Sequence, residues 1–395
     1  MPEISKLGAR MPSSPIRKLA PLADAAKKEG VKVYHLNIGQ PDLPTPQKAL
    51  DALGQIKRKT LEYSPSEGYL GLREKLVRYY GRFGLQVRAD EIIITTGGSE
   101  AILLGLLSCL DPEDEIVMVE PGYANYISFA RTAHLSVKTV TSRIEDGFKL
   151  PPVEEFEKAI TPRTKAILLC NPSNPTGYVY TPQELQQIKE IVVRHNLFLF
   201  SDEVYREFVY NGKPYLSALS LGIPEHVVMI DSVSKRYSEC GIRVGMLVTH
   251  NKDVHDTVMK FCQARLSPPL LGQIVAEASI EGTEEYSRAC FEEYKARRDF
   301  FIQGLNQIPG VFSPVPEGAF YTVASLPVED AEAFCRWMLT DFRYKGETVM
   351  MAPAAGFYET PGLGKNQVRM AYVLEKEELA KALKVLSEGL KSYSL

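Results

Sequence analysis

The sequence predicts an α/β protein with a second, smaller α+β unit, and three observations carry that reading. From about residue 91 to 305, short β-branched apolar runs alternate with helical stretches, the pattern of strands joined by crossover helices. The apolar runs end in turns rich in Gly, Pro and Asn, where the polar residues gather. From residue 311 onward the alternation gives way to strands and helices in mixed order. At 395 residues, 45% hydrophobic and 24% charged, the chain has room for two domains and a large core.

Composition narrows the function classes. A formal net charge of −3 with no basic tract argues against a nucleic-acid groove. No stretch approaches the ~20 apolar residues of a membrane span, and residues 1–19 lack the apolar run of a secretory signal, so a cytoplasmic protein is expected. The six cysteines form no C-x-x-C pair and several lie in apolar runs, so no disulfide is expected. The six histidines lack metal-ligand spacing, and no metal is expected.

Along the chain, residues 1–30 make a polar arm with prolines at 12, 15 and 21 and a helix over 19–28. Residues 33–46, VYHLNIGQPDLPTP, read as a strand ending at Gly39 and a rigid loop. Gly39 would let a ligand approach backbone, and a plain proline-rich turn fits equally. After a loop carrying an exposed Tyr63, a helix is expected over 70–80. Residues 91–96, EIIITT, form a buried strand running into Gly97, Gly98, Ser99 and a helix, whose free N–H groups can cradle a phosphate. A Gly-Gly turn alone is weak support for that. The strand over EIVMVE leads to Tyr123, just past a strand end where open α/β sheets bind ligands; the ring can stack on a flat ligand or plug a crevice.

The strand AILLC, 166–170, meets NPSNPTG, too dense in turn residues for a casual connection, and Asn174 there offers an amide to a ring oxygen. Thr181 and Glu184 form a capping box that starts a helix to about residue 195. In LFLFSDEVY, Asp202 ends an apolar strand, where a carboxylate needs a cationic partner such as a protonated pyridine, unless it caps the next turn. Tyr205 can share its face and present a phenol to a ring hydroxyl.

Residues 226–230 and 244–249 read as buried parallel strands, with Lys235 on the turn between them. A lysine held there is either paired or stripped of its charge, and a neutral amine is a nucleophile suited to a Schiff base with an aldehyde. The aldehyde cofactor with a phosphate handle is pyridoxal phosphate. Ser232, Ser234 and Arg243 supply donors for that phosphate. The stretch in isolation fits an ordinary surface turn as well; the other stretches decide. A helix over 254–265, a loop LSPPLLGQ and a long helix over 284–305 follow. The smaller unit has strands at 319–324, 348–353 and 367–372, a helix over 331–343 and a final helix. Arg369 interrupts its apolar strand and must face an anion or a solvent gap.

Eight stretches in order, LNIGQPD, YSPSEGYLGLREKL, TTGGSEA, EPGYANY, NPSNPTG, SDEVY, SVSKRYSECGIRVG and QVRMAY, make the chain resemble a class I/II aminotransferase of pyridoxal-phosphate fold type I, from about residue 33 to the C-terminus. The resemblance implies a large domain, 48–285, with a mostly parallel seven-stranded sheet flanked by helices. A smaller domain, 286–395, would be joined by an arm and further segment, 1–47. It implies pyridoxal 5′-phosphate held by Lys235, which would also move the proton between the substrate Cα and the cofactor. Asp202 would pair with the ring nitrogen, Asn174 and Tyr205 would bind the ring hydroxyl, and Tyr123 would stack. Ser232, Ser234, Arg243, Gly98 and Ser99 would take the phosphate. A tyrosine matching Tyr63 reaches a neighbouring subunit's phosphate, which implies a homodimer with shared sites. Arg369, with the backbone at Gly39, would grip the substrate carboxylate. Ile242 and the SEC run at 238–240 depart from the usual pattern and leave the side-chain pocket open.

For substrates the reading favours aspartate and 2-oxoglutarate, with Arg265, or else Arg17, facing the distal carboxylate. Rivals are an alanine, aromatic or kynurenine aminotransferase, or a lyase on the same cofactor site. The ligand-sensing half of a transcription regulator would need a basic DNA-binding segment, and none precedes residue 33.

Overall fold

The computed structural model describes residues 2–393; residues 1 and 394–395 of the expected outer segments lie outside the described residues. Its strands are β1 (Lys32–His35), β2 (Ile92–Thr95), β3 (Glu115–Glu120), β4 (Ser136–Thr141), β5 (Thr164–Cys170) and β6 (Phe198–Asp202). Then come β7 (Val227–Ser232), β8 (Gly245–Val248), β9 (Tyr321–Ser325), β10 (Glu347–Met350), β11 (Ala352–Pro353) and β12 (Gln367–Ala371).

Seven strands form one sheet in the order β2-β8-β7-β6-β5-β3-β4. The pairs from β4 through β7 are parallel, whereas β8 runs antiparallel to both β7 and β2. The parallel direction expected for residues 244–249 is thus corrected. Only the short segment with Lys235 joins β7 to β8, too short for the crossover a parallel return needs.

Both faces of this sheet are covered, which is why its strands read as unbroken apolar runs rather than alternating ones. Ile93, Phe200, Ile230 and Leu247 enter one core. Ile92, Ile94, Met229 and Met246 pack with Leu72, Leu76 and Tyr80 of the helix Leu70–Gly81 on the other side. Further along that side, Val117, Ile167 and Leu199 meet Leu185, Ile188 and Ile191 of the helix Pro182–Arg194. That helix carries its expected capping box: Thr181 Oγ1 accepts from Glu184 N, and the Glu184 carboxylate accepts from Thr181 N.

The smaller unit is built from both ends of the chain. β1 pairs in parallel with β10, Lys32 opposite Glu347. β11, β12 and β9 form an antiparallel sheet in which Arg369 sits mid-strand, opposite Ala352 and Val323. Where a loop was expected at 266–273, a helix Leu270–Ile280 begins directly after Pro269. Its sequence is apolar on nearly every face, so it carries no 3.6-residue signal. No helix among the described residues is long and apolar enough to cross a membrane.

Candidate active site

The crossover topology brings the C-terminal ends of β5, β6 and β7 to one edge of the sheet, and a cavity of about 730 Å³ lies there against β9 and β12. Its lining includes Gly39, Gly98, Ser99, Tyr123, Asn174, Asp202, Tyr205, Ser232, Ser234, Lys235, Arg243 and Arg369. Tyr63 and Arg265 do not line it. Tyr63 is 75% exposed on the loop before the helix Leu70–Gly81.

Lys235 stands on the one-turn helix Val233–Arg236 that β7 runs into, and its Nζ donates to the Gly39 carbonyl at 2.9 Å. Burial opposes its charge, but the ionisable groups around it, Tyr321 first, then Cys240 and Tyr123, outweigh burial and hold the amine above its ordinary value. The lowering expected from desolvation alone is thus offset by these neighbours, and the free side chain is parked on a carbonyl as a donor.

Asp202 closes β6. Its Oδ2 accepts from the Tyr126 hydroxyl at 2.6 Å and its Oδ1 from Val204 N at 3.3 Å. Burial lifts the carboxyl to about 6 against the pull of these donors. No cation pairs with it among the described residues. Tyr205 Oη lies 3.0 Å from Tyr321 Oη and accepts from Asn174 Nδ2 at 3.4 Å. Tyr321 in turn donates to the Gly39 carbonyl at 3.2 Å, and Tyr123 meets Tyr126 edge-on at 5.3 Å.

At one end the donors converge. Ser232 Oγ accepts from Ser234 N and lies 2.8 Å from Ser234 Oγ. The helix Gly97–Cys109 opens with Gly97 at φ 78°, and a Cβ there would fall 2.4 Å from an Arg243 nitrogen. Gly97 therefore lets the guanidinium reach the helix start, where N–H groups and dipole favour an anion. Arg243, itself at φ 57°, has no carboxylate partner among the described residues.

At the other end Arg369 is 1% exposed. One nitrogen donates to Asn174 Oδ1 at 3.3 Å, another to the Asn37 carbonyl, and Nε has no partner. Its guanidinium lies 4.7 Å from the Tyr321 ring centre and 5.0 Å from that of Phe357. Burial pulls its pKa down, and among the described residues it makes no ion pair. Arg265 donates to Glu100 at 3.0 Å and to the Ser66 carbonyl at 2.9 Å. Arg17 does line the cavity and has no ion pair among the described residues.

Among the lining residues with no distinct signal in the sequence are Tyr126 and Tyr321, whose hydroxyls bond Asp202 and the Gly39 carbonyl. Tyr126 stands in the first turn of the helix Asn125–Thr132, three residues after Tyr123. Tyr321 looks like any core aromatic in AFYTVA.

The cavity thus holds a buried guanidinium without an anion, a buried carboxylate without a cation, an amine and a separate anion cradle. It suits a ligand with a phosphate at one end, a basic ring nitrogen and a carbonyl carbon, together with a second, carboxylate-bearing molecule. The family model for aminotransferase class I and II matches residues 31–386. The aspartate aminotransferase of Rhizobium meliloti is 30% identical over 401 residues, covering 96% of this chain and 93% of that protein. Among solved structures, the aspartate aminotransferase of Thermus thermophilus with maleate superposes with a TM-score of 0.89 at 28% identity, covering 98% of this chain and all of that one. An alanine aminotransferase from Pyrococcus furiosus gives 0.90 at 28% identity, over 99% of this chain and all of the other.

Proposed function

The chain belongs to the class I and II aminotransferases, which depend on pyridoxal 5′-phosphate, and from that premise we propose that it moves the amino group of L-aspartate to 2-oxoglutarate in two half-reactions. Bound pyridoxal phosphate supplies a ring that absorbs the electrons left behind when the substrate Cα loses its proton. Lys235 Nζ would hold the cofactor through its aldehyde carbon and, once released as the uncharged amine, would take the Cα proton. Asp202 would pair with the ring nitrogen, and its full carboxylate charge would keep that nitrogen protonated. Asn174 and Tyr205 would hold the ring hydroxyl, and Tyr123 would lie against the ring. Ser232, Ser234, Arg243 and the backbone at Gly98 and Ser99 would hold the phosphate. Arg369 grips the α-carboxylate beside the Gly39 backbone.

One observation carries the reading: Arg369 and Asp202 are opposite charges buried in one cavity, each without a partner ion among the described residues. Unpaired buried charge is costly, so each awaits its counterion from a ligand.

Aspartate is favoured by Arg17, a cavity-lining cation with no ion pair among the described residues. Alanine is a second reading, supported by the likeness to the Pyrococcus enzyme. Turnover with aspartate, alanine, tyrosine and kynurenine separates them. Under the aspartate reading, Arg17→Ala lowers kcat/KM for aspartate by roughly tenfold or more and leaves alanine little changed, since a lost charge-assisted hydrogen bond is worth about 1.5–3 kcal/mol. Faster turnover of alanine than aspartate by the wild type ends the aspartate reading.

We also infer a homodimer with shared sites. Leu61, Tyr63 and Leu266 are exposed apolar side chains, and Ser66 Oγ ties the loop after Tyr63 to Leu266 by donating to its carbonyl at 2.6 Å. Light scattering that gives the monomer mass would remove this inference. Six free thiols support a cytoplasmic setting. The boundaries 48–285 and 286–395, with 1–47 shared, remain our division of the chain, supported by the β1–β10 pairing.

A further inference from the structure

Behind the cavity lies a group of charges that lines no part of it. Glu203, Arg206, Asp231 and Arg236 are each at most 2% exposed. Arg236 donates to Asp231 Oδ2 at 2.7 Å, and Arg206 lies 3.6 Å from the same oxygen and 3.3 Å from Glu203 Oε2. Tyr80 donates to Asp231 Oδ2 at 2.9 Å, and Arg236 also donates to Tyr79. The Arg236 guanidinium lies 4.2 Å from the Tyr79 ring centre. Asp231 Oδ1 accepts from Ser232 N at 2.7 Å. Glu203 Oε1 accepts from Ser201, Ser217 and Ala218 N, each at 2.9 Å.

Every member is the chain neighbour of a cavity residue: Glu203 follows Asp202, Arg206 follows Tyr205, Asp231 precedes Ser232, and Arg236 follows Lys235. Successive residues point to opposite sides of a strand and roughly 100° apart around a helix, so anchoring one residue aims the next. Two cations and two anions are costly to bury, and apolar residues of similar volume would serve stability as well or better. What the charges add is direction, because each hydrogen bond demands a particular geometry.

We propose that this four-charge cluster is positioning machinery for the cofactor site, with Arg236 aiming Lys235 through its two-point hold on Asp231 and Tyr79. The proposal rests on the pyridoxal-phosphate reading above. Loss of the fork frees the one-turn helix to rotate, and the cavity groups no longer meet the cofactor together.

The test uses the full chain, stripped of cofactor and titrated with pyridoxal phosphate while the visible absorption is followed. Two variants serve: Arg236→Lys, which keeps the charge and loses the fork, and Arg236→Met with Asp231→Asn, which removes one charge of each sign. Exposed Arg194→Met is the control. Both variants are expected to bind pyridoxal phosphate at least about tenfold more weakly and with an altered absorption maximum, coupling of this size being ordinary for networked residues. A merely structural cluster lowers melting temperature and leaves the dissociation constant within twofold of wild type, and that result overturns the proposal. Should the double variant fail to fold, the lysine variant alone decides. Wild-type protein that binds no pyridoxal phosphate defeats the underlying reading instead.

Discussion

The Tyr126 hydroxyl donates to Asp202 Oδ2 at 2.6 Å, across the junction between the helix Asn125–Thr132 and the end of β6. It is the shorter of the two hydrogen bonds that hold this buried carboxylate charged, the other coming from Val204 N. Tyr126→Phe takes that donor away, so the Asp202 carboxyl moves further above about 6. Pairing with a protonated ring nitrogen needs the ionised form. Pyridoxal phosphate binding should therefore weaken as pH falls through about 6 in the wild type, and at higher pH in Tyr126→Phe. Titrations of cofactor affinity against pH check this; coincident midpoints for the two proteins would count against it.

The same carboxyl governs how stability depends on pH in the cofactor-free protein. Folded Asp202 titrates at about 6 against an ordinary value of 3.8, and Glu239, buried beside Ser279, at about 7 against 4.5. In both cases burial is the leading cause. Within each window the folded state keeps a proton that the unfolded chain has lost, so stability falls as pH rises through it. Above pH 7 the two penalties are fully present, on the order of 3 kcal/mol each. Asp202→Asn should stabilise the cofactor-free protein, and by more at pH 8 than at pH 5. Urea denaturation at both values tests the sign.

Gly39 matters for its missing side chain rather than for its backbone freedom. A Cβ there would lie 2.0 Å from Tyr321 Oη, which must move and give up its contacts with Tyr205 and with the Gly39 carbonyl. Overpacking of this kind costs about 1–3 kcal/mol. Gly39→Ala should keep its fold and lose roughly tenfold or more in kcat/KM. Unaltered kinetics in a correctly folded variant would show that the phenol has room to spare.

Much of the site could be read before any fold was known, because its residues break local rules. Lys235 sits between core strands, Asp202 ends an apolar run, and Arg369 interrupts one. Polar groups in such places demand partners whatever the topology. What escaped depends on distance along the chain or on direction. The antiparallel turn of β8 follows from the brevity of its connection, not from its composition. The ion pair of Arg265 with Glu100 spans 165 residues and has no local signal. The helix Leu270–Ile280 hid because burial on nearly all sides erases periodicity. Tyr126 and Tyr321 read as core aromatics, yet their hydroxyls face a carboxylate and a carbonyl far along the chain.

Arg369 separates function from stability most sharply. Buried at 1% exposure, it has two polar partners and two rings around it but no anion among the described residues, and its Nε bonds nothing. The folded protein tolerates that cost for the sake of a planar fork aimed at a carboxylate. Arg369→Lys keeps a charge but loses the two-point geometry, and kcat/KM for every amino acid substrate should fall about 100-fold, with truncation of a buried charge pair typically costing 2–5 kcal/mol. Arg369→Met removes the unpaired charge altogether, so the cofactor-free variant should melt no lower than wild type while turnover is lost. Thermal melts of cofactor-free protein beside steady-state kinetics report the two effects separately. A methionine variant that melts many degrees lower would mean that Asn174, Asn37 and the two rings already satisfy the guanidinium, and that Arg369 is part of the scaffold rather than a group waiting for substrate.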